Sequence, residues 1–366
     1  MKILAVVGTR PNFVKMAPLM REFSRSTRIS AKLVHTGQHY DRAMSELFFE
    51  QLNLPEPDCY LGVQPGSHAR QTADIMTQFE ELCVCDSPDL VLVVGDVNST
   101  LATALTAGKL CIPIAHVEAG LRSFDMSMPE EINRLLVDRL ARFLFVSEPA
   151  GMANLEREGL RREQKAFLVG NVMIDSLVAC LPAIKAAEAS RKLGLQDKGY
   201  AVMTVHRPSN VDSEEGLLRI LEILEQVCKT FPVVFPVHPR TGANLRRLGL
   251  LERFGALQRV MMTEPLGYLE FLSIVSNAAC VLTDSGGLQQ ETTWLGIPCI
   301  TLRENTELPV TTTQGTNVLT GLSLEEVRAA LRGTLSFDSA AYKPPELWDG
   351  HASERITEIL LNSCDA

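Results

Sequence analysis

The sequence predicts an α/β protein made of two Rossmann-like, doubly wound domains. Short apolar runs rich in β-branched residues alternate with helix-like segments, and this alternation stops once and then restarts. Runs that are apolar on both faces are typical of parallel strands covered by helices. A length of 366 residues agrees with two domains, and 46% apolar residues are enough for two packed cores.

The first half of the chain carries six apolar runs that we interpret as strands of one parallel sheet, at residues 2–7, 32–36, 90–95, 112–117, 143–146 and 167–169. A long helical stretch from Val172 to about Leu193, interrupted by Pro182, follows them. We therefore predict an N-terminal domain over residues 1–171 and a C-terminal domain over residues 172–350. We expect a helix at residues 351–366 to complete the N-terminal domain.

Strand-like runs resume in the second half at residues 200–205, 233–237, 260–262, 281–283 and 299–302. Two doubly wound domains in sequence normally face each other across a cleft, and ligands bind at the carboxyl ends of their strands. Polar residues follow the runs at these ends, among them Gly8-Thr9-Arg10-Pro11, Gly95-Asp96, Glu118-Ala119-Gly120, His206-Arg207, His238-Pro239 and Asp284-Ser285-Gly286-Gly287. Some of these groups are expected to be turns or helix caps.

The composition argues against several classes of function. The 35 Lys plus Arg residues face 44 Asp plus Glu residues, so we expect binding neither to nucleic acid nor to a membrane surface. No apolar stretch approaches the ~18 residues that span a bilayer, and the first apolar run is too short for a signal peptide, which favours a cytoplasmic protein. The 9 cysteines lack disulfide or zinc spacing, so we expect reduced thiols, no metal and no cofactor.

Two strand-to-helix junctions have the composition of anion sites. At the first, Arg10 and Lys15 accompany a helix start with Pro11 in its first turn, where backbone donors and two cations suit a phosphate. At the second, the glycines after Ser285 leave amides free to bind a diphosphate. Glu291, less than two turns further on, is a candidate ligand for ribose hydroxyls, or simply a helix-dipole acid. No Gly-x-Gly-x-x-Gly follows the first strand, which argues against a nicotinamide dinucleotide.

Four acids and a histidine are candidates for proton transfer. Asp96 and Glu118 each end an apolar strand, where a buried carboxylate without a partner tends to hold a proton, as a general acid or base must. Glu130 and Glu131 begin a helix, where capping is the simpler interpretation, and as neighbours at most one of them should point inward. His206 can exchange protons near neutral pH, although a lone histidine is as often structural.

The motifs extend in order along nearly the whole chain. They include Gly8-Thr-Arg-Pro11, Gly95-Asp96, His116-Val-Glu-Ala-Gly-Leu-Arg122, Pro129-Glu-Glu-Ile-Asn-Arg134, Gly170-Asn171, His206-Arg207, Asp284-Ser-Gly-Gly287 and Gly315-Thr-Asn317. Together they resemble the non-hydrolysing UDP-N-acetylglucosamine 2-epimerases, which are similar in fold to B-type glycosyltransferases. The resemblance implies inversion at C2 of UDP-GlcNAc to give UDP-ManNAc, through elimination of UDP to a 2-acetamidoglucal and re-addition. It further implies a homodimer and a place in polysaccharide biosynthesis.

The resemblance also implies roles for individual residues. The catalytic residues would be Asp96, Glu118, Glu130 and His206. The substrate-binding residues would be Arg10, Ser285, Gly286 and Gly287 at the diphosphate, Glu291 at the ribose, Phe271 near the uracil, and Lys15, Arg134 and His238 with less definite contacts. Such a set agrees with the chemistry, because inversion needs two acid/base groups and a leaving group that stays bound.

The chain departs from the family pattern at two places. Leu308 stands where many members have arginine, so we expect Arg303 or Lys15 to supply the missing cation. Tyr40 and Asp41 follow Gln38-His39 in the segment of the family's regulatory site, unlike the usual pattern, so we do not predict allosteric activation. A UDP-diacetamido-uronic acid as substrate, a B-type nucleotide-sugar glycosyltransferase, a hydrolysing epimerase and a non-enzymatic UDP-sugar sensor stay as alternatives.

Overall fold

The computed structural model describes residues 1–38 and 49–363, and its strands form two parallel sheets in two units. Unit 1 contains Met1–Ala179 and the chain from Glu346 onward, and unit 2 contains Cys180–Pro345. The prediction of two doubly wound α/β units is confirmed. By its contacts the chain divides inside the long helix that follows residue 171, so that helix begins in unit 1 and ends in unit 2.

Unit 1 is a seven-stranded sheet in the order β3-β2-β1-β4-β5-β6-β7. Its elements are β1 Lys2–Val7, α1 Arg10–Ser24, β2 Ser30–His35, β3 Cys59–Tyr60, α2 His68–Asp86, β4 Leu90–Val94, α3 Asn98–Lys109, β5 Ile114–Ala119, α4 Pro129–Leu140, β6 Phe143–Val146, α5 Pro149–Glu158, β7 Lys165–Leu168 and α6 Val172–Ala187. Val91 and Val93 of β4 and Leu144 of β6 are fully buried in its core. The reversal of strand order between β1 and β4 marks the edge where such sheets bind ligands.

Unit 2 is a six-stranded sheet in the order β10-β9-β8-β11-β12-β13. Its elements are α7 Ala189–Lys192, β8 Ala201–Thr204, α8 Pro208–Val211, α9 Glu214–Val227, β9 Val233–Pro236, α10 Pro239–Arg247, α11 Leu251–Gly255, β10 Val260–Thr263, α12 Tyr268–Ser276, β11 Cys280–Thr283, α13 Gly286–Leu295, β12 Cys299–Thr301, α14 Val310–Thr313, β13 Asn317–Leu319 and α15 Leu324–Thr334. Met203, Phe235 and Leu282 lie fully buried on the central strands. The strands β8 and β11 are neighbours, so the residues after them meet at one edge.

The chain returns to unit 1 through α16, Ala352–Ser363. The buried carboxylate of Asp175 on α6 accepts hydrogen bonds from the Ala352 amide at 3.1 Å and from the amide and hydroxyl of Ser353 at 2.7 and 2.6 Å. It therefore caps the start of α16 from a helix far away in sequence. Within residues 1–38 and 49–363, no helix is long and apolar enough to cross a membrane.

Candidate active site

Glu118, the penultimate residue of β5, has a backbone conformation that is unusual for its residue type. Its φ is +72°, and the pairing of β5 with β6 shifts in register between Val117 and Ala119. A residue other than glycine in this left-handed region costs about 1–3 kcal/mol, and such irregularities re-aim side chains at sites. The fold thus directs a buried carboxylate to the carboxyl end of the strand at an energetic cost.

The Glu118 carboxylate forms an ion pair with Lys15 of α1, through Oε2 and the Lys15 ammonium group. Gly95, at φ +67°, makes room for this pair, because a Cβ atom there would lie 3.1 Å from Lys15 Nζ. Glu118 Oε1 is buried and has no hydrogen-bond partner among the described residues. The expectation of an unpartnered carboxylate is therefore wrong for Oε2, since Lys15 neutralises it, while Oε1 is left for a ligand.

The loop that begins α1 differs from the predicted anion site. Asn12 Oδ1 accepts hydrogen bonds from the Gly8 and Thr9 amides, both at 3.1 Å, and Pro11 has no amide hydrogen. The Gly8 and Thr9 amides are thus bonded to a side chain in the first turn of α1. Of the two expected cations, Lys15 lies against Glu118, and Arg10 stands half-buried as the first residue of α1.

Asp96 follows β4 and is bound by α4. Its Oδ2 accepts from Arg134 Nη1 at 2.5 Å, and its carbonyl oxygen accepts from Asn133 Nδ2 at 2.7 Å. The Arg134 side chain is 3% exposed whereas that of Asp96 is 29% exposed. The buried Arg134 therefore holds the Asp96 carboxylate, which still reaches solvent. Asp96, like Glu118, has a charged partner that the neighbouring sequence did not reveal.

Glu131 and Glu130 have different surroundings although they are neighbours at the start of α4. Glu131 is buried and accepts from the amides of Ser123 and Phe124 at 2.9 and 3.0 Å and from Arg134 Nη2 at 2.7 Å. Burial alone would raise its pKa, but these hydrogen bonds and the Arg134 charge hold the pKa of Glu131 below its usual value. Glu130 is half-buried and makes no hydrogen bond to the described residues, so it is the carboxylate available to a ligand.

Replacing Glu131 by glutamine is expected to destabilise the protein by about 3 kcal/mol, because breaking a buried ion pair leaves Arg134 with less compensation. Thermal unfolding followed by circular dichroism measures the change. Glu130→Gln is the matched control, one residue away, and its expected change is within about 0.5 kcal/mol. Equal destabilisation by the two substitutions would show that Glu131 does not hold this region together.

His116 and Asp138 support the same strand ends, and the sequence reasoning did not single out their pairing. His116 is fully buried, with Nδ1 2.6 Å from Asp138 Oδ1 and Nε2 2.9 Å from the Gly95 carbonyl oxygen. Asp138 also pairs with Arg122 at 2.7 Å and accepts from the Gly120 amide at 3.0 Å. Both ring nitrogens are bonded, so His116 fixes the Gly95 turn beside Asp96. The sequence feature that could have indicated this pairing is a histidine inside an otherwise apolar run.

In unit 2, the junction between β11 and α13 agrees with the predicted anion site. Ser285 caps α13 by accepting from the Leu288 amide at 3.4 Å, and its own amide donates to Thr283 Oγ1 at 3.0 Å. Gly286 and Gly287 are half-buried, and their amides make no hydrogen bond to the described residues. Two amide donors at a helix N-terminus are therefore open to an anion.

Glu291 lies in the second turn of α13 and is buried beside Tyr268 of α12. Burial raises the pKa of Glu291 to about 7, although hydrogen bonding from Tyr268 lowers it. Phe271, one turn after Tyr268, is half-buried. The carboxylate and the aromatic ring predicted to bind a nucleoside thus belong to α13 and α12, two helices in contact.

His206 follows β8 and pairs with Asp284, which follows β11. The ring Nδ1 lies 3.1 Å from Asp284 Oδ1, and the His206 side chain is 38% exposed. His238, the cap of α10, has its ring centroid 5.0 Å from that of His206. The two predicted histidines are therefore neighbours at the carboxyl edge of the unit 2 sheet, next to the start of α13.

The family model of UDP-N-acetylglucosamine 2-epimerase matches residues 21–361 of this sequence. The chain belongs to this family. It is 40% identical over 368 residues to the UDP-N-acetylglucosamine 2-epimerase of Methanocaldococcus jannaschii, covering 98% of this chain and 99% of the relative. It is 41% identical over 367 residues to the UDP-2,3-diacetamido-2,3-dideoxy-D-glucuronate 2-epimerase of Pseudomonas aeruginosa, again covering 98% and 99%.

Among solved structures, the chain is similar to the crystal structure of the Methanocaldococcus jannaschii UDP-GlcNAc 2-epimerase in complex with UDP-GlcNAc and UDP. The TM-score is 0.92 at 40% identity, over 99% of this chain and 100% of that one. The family resemblance inferred from the motifs is thus confirmed, and the chain is an enzyme of the epimerase class.

Leu308 stands where many family members have arginine, and the neighbouring cation is Arg303. Leu308 is buried, and Arg303 lies nearby with Nη2 2.6 Å from Glu307 Oε2. Arg303 Nη1 is buried without a hydrogen-bond partner among the described residues, 3.9 Å from where a Cβ of Gly286 would lie. In this 2-epimerase family member, Arg303 therefore brings a cation to the start of α13.

Two further expectations concern sites for other ligands. The described residues contain no group of three or more His, Cys, Asp or Glu side chains that could hold a metal ion. Of the regulatory segment, His39, Tyr40 and Asp41 lie outside the described residues.

Proposed function

We propose that this chain interconverts UDP-GlcNAc and UDP-ManNAc by elimination of UDP and re-addition to a 2-acetamidoglucal. The observation that carries the proposal is the Glu118 carboxylate, which is buried, neutralised on one oxygen by Lys15 and unpaired on the other. A buried carboxylate with one unsatisfied oxygen, held in a strained conformation, suits proton transfer at carbon.

In the elimination step, Glu118 removes the C2 proton while the bond between C1 and the UDP oxygen breaks. The electron pair of the C2–H bond forms the C1–C2 double bond, and the C1–O pair leaves with UDP. Lys15 balances the charge of the carboxylate before the proton arrives.

Inversion requires a second acid that delivers a proton to the opposite face of C2. We assign this step to Asp96 or Glu130, because both reach solvent from the same end of the unit 1 sheet. Glu131 is excluded, since its oxygens are taken by Ser123, Phe124 and Arg134. The C1–C2 electron pair takes up the proton from the second acid at C2, and an oxygen of UDP forms the new bond to C1. The proton held by Glu118 leaves to solvent and the second acid regains one from solvent, so the two isomeric sugars interconvert with no net change in the protein.

The departing diphosphate must stay bound while it is detached. Unit 2 offers the open amides of Gly286 and Gly287 and the unpartnered Nη1 of Arg303. These donors are fixed by the fold, so they stabilise the negative charge without reorganisation. Ser285, Glu291 and Phe271 complete the proposed binding site for UDP, with Glu291 at the ribose and Phe271 near the uracil.

The experiment is incubation of the purified chain with UDP-GlcNAc in deuterated water, followed by NMR. We expect UDP-ManNAc with deuterium at C2, because the proton returned to C2 comes from solvent. Free ManNAc would indicate a hydrolysing enzyme, and transfer of the sugar to an added acceptor would indicate a glycosyltransferase. Absence of both product and deuterium exchange would refute the proposal.

Because the chain is similar to the Pseudomonas aeruginosa relative, the same assay is run in parallel with a second substrate. That protein is named for UDP-2,3-diacetamido-2,3-dideoxy-D-glucuronate, and its identity to this chain is 41%. Faster exchange with that sugar than with UDP-GlcNAc would reassign the substrate and leave the epimerase chemistry in place.

We also propose a homodimer in the cytoplasm. Apolar side chains of unit 1 support the dimer, since Ile132 and Leu136 of α4 and the preceding Phe124 and Met126 are exposed. The eight cysteines within the described residues are free thiols, which agrees with a reducing compartment. Sedimentation velocity measures the mass of the assembly.

A further inference from the structure

Within the described residues, His116 and His206 each pair with a different buried aspartate. They differ in whether a ring nitrogen remains available to a ligand. His116 has both ring nitrogens bonded and is fully buried. His206 is 38% exposed, its Nδ1 faces Asp284, and its Nε2 makes no hydrogen bond to the described residues. His206 therefore keeps one ring nitrogen for a ligand, whereas His116 keeps none.

The Asp284 carboxylate binds both the ring and the backbone of His206. Oδ1 lies 3.1 Å from the ring Nδ1, and the His206 amide donates to Oδ1 and Oδ2 at 3.1 and 3.0 Å. Oδ2 also accepts from the Arg207 amide at 2.9 Å and from Asn210 Nδ2 at 3.1 Å. A single fully buried side chain thus fixes the position of the residue and the rotation of its ring.

The protonation of the pair follows from this hydrogen bonding. Burial alone would raise the pKa of Asp284, but the hydrogen bond and charge of His206 and the two amides hold it below its usual value. An ionised carboxylate only accepts hydrogen bonds, so Nδ1 must carry a proton. The neighbouring ring of His238 accepts from the Arg240 amide at 3.2 Å through its own Nδ1, so it is not doubly protonated in this arrangement.

We propose that Asp284 is the positioning residue of His206, holding Nδ1 so that Nε2 is presented to the diphosphate of the substrate. This inference rests on the proposed function. Ser285 and Gly286, at the proposed diphosphate site, directly follow Asp284, so the residue that holds the His206 ring also leads into the anion site. The imidazolium, balanced by Asp284, gives its Nε2 proton to the departing diphosphate oxygen as the C1–O bond breaks. On re-addition the proton returns to Nε2, and Asp284 stays ionised throughout.

The test is Asp284→Asn in the full chain with ¹⁵N-labelled histidine. An amide group donates as well as accepts, so the variant loses the fixed proton on Nδ1, and the ring ¹⁵N signals of His206 should change. His206→Ala identifies those signals. We expect kcat for epimerisation to fall at least about 10-fold with little change in KM, because the wrong ring form is presented while substrate contacts persist.

Asn210→Ala is the matched control, because it removes another partner of the same carboxylate and leaves the His206 contact in place. If Asp284 only holds the loop, Asn210→Ala will lower kcat as much as Asp284→Asn, and the ring signals will not change in either variant. That result overturns the inference. Should the wild type show no epimerisation, the proposed function fails, while the ring signals still decide whether Asp284 sets the proton position.

Discussion

Glu118→Gln is expected to lower deuterium exchange at C2 of UDP-GlcNAc by about 10³-fold or more, while UDP still binds. Removal of a general base costs typically 10²–10⁴-fold, and glutamine has the same shape but cannot take up the proton. UDP binding should persist because the proposed donors to its diphosphate, the amides of Gly286 and Gly287, lie in unit 2. NMR in deuterated water measures the exchange, and calorimetric titration with UDP measures the affinity.

A second variant separates chemistry from folding. Glu118→Gln removes a carboxylate charge that pairs with the buried Lys15, which is expected to cost about 3–5 kcal/mol of stability. The double variant Lys15→Met with Glu118→Gln also removes the charge of the lysine, so its melting temperature should recover. Deuterium exchange at C2 should stay absent. Exchange near the wild-type rate in a folded Glu118→Gln protein would remove Glu118 from the proposed mechanism.

Glu291→Gln is expected to stabilise the protein above neutral pH and to weaken UDP binding. Burial raises the pKa of Glu291 from 4.5 to about 7, so its protonated form is favoured in the folded state. The resulting stability is fully present below about pH 4.5 and is lost as pH rises through 7, a change of about 3 kcal/mol from this group. Glutamine is neutral at every pH and avoids this loss.

The measurement is urea unfolding of both proteins at pH 5 and pH 8, together with UDP affinity at pH 8. We expect a stability gain at pH 8 that nearly disappears at pH 5, and an affinity loss of about 10-fold, since a charged acceptor for the ribose becomes neutral. Glu270→Gln, an exposed carboxylate on α12, is the control and should change neither quantity. A gain of equal size at both pH values would show that the ionisation of Glu291 does not affect stability.

The sequence predicts the fold where local patterns are strong. The apolar runs of β4 and β11 and the turn from Asp284 to Gly287 are visible because parallel strands are buried on both faces and helix starts need particular residues. The edge strands β3 and β13 are missed because they have only two and three residues and are partly exposed, whereas β12, also three residues long, is buried throughout. A run that short carries no periodicity.

The charges of the site were harder to predict than its position. Lys15 and Glu118 are 103 residues apart, and His206 and Asp284 are 78 apart, so no local pattern marks either pair. Glu130 and Glu131 are alike in sequence, and contacts of Glu131 with the amides of Ser123 and Phe124 and with Arg134 distinguish them in the structure. Pairing across the strand ends is a property of the assembled sheet, so local patterns in one sequence do not predict it.

The return of the chain through Asp175 and α16 reverses the order in which the two units can be completed. Unit 2, Cys180–Pro345, is contiguous, whereas unit 1 needs the segment from Glu346 onward. During synthesis, a ribosome adds about 5–20 residues per second and domains fold as units, so unit 2 has all its residues first. Unit 1 starts earlier but stays incomplete, with the Asp175 carboxylate lacking its partners on α16, until α16 has emerged. The carboxylate–lysine pair of the site therefore belongs to the unit that is finished last.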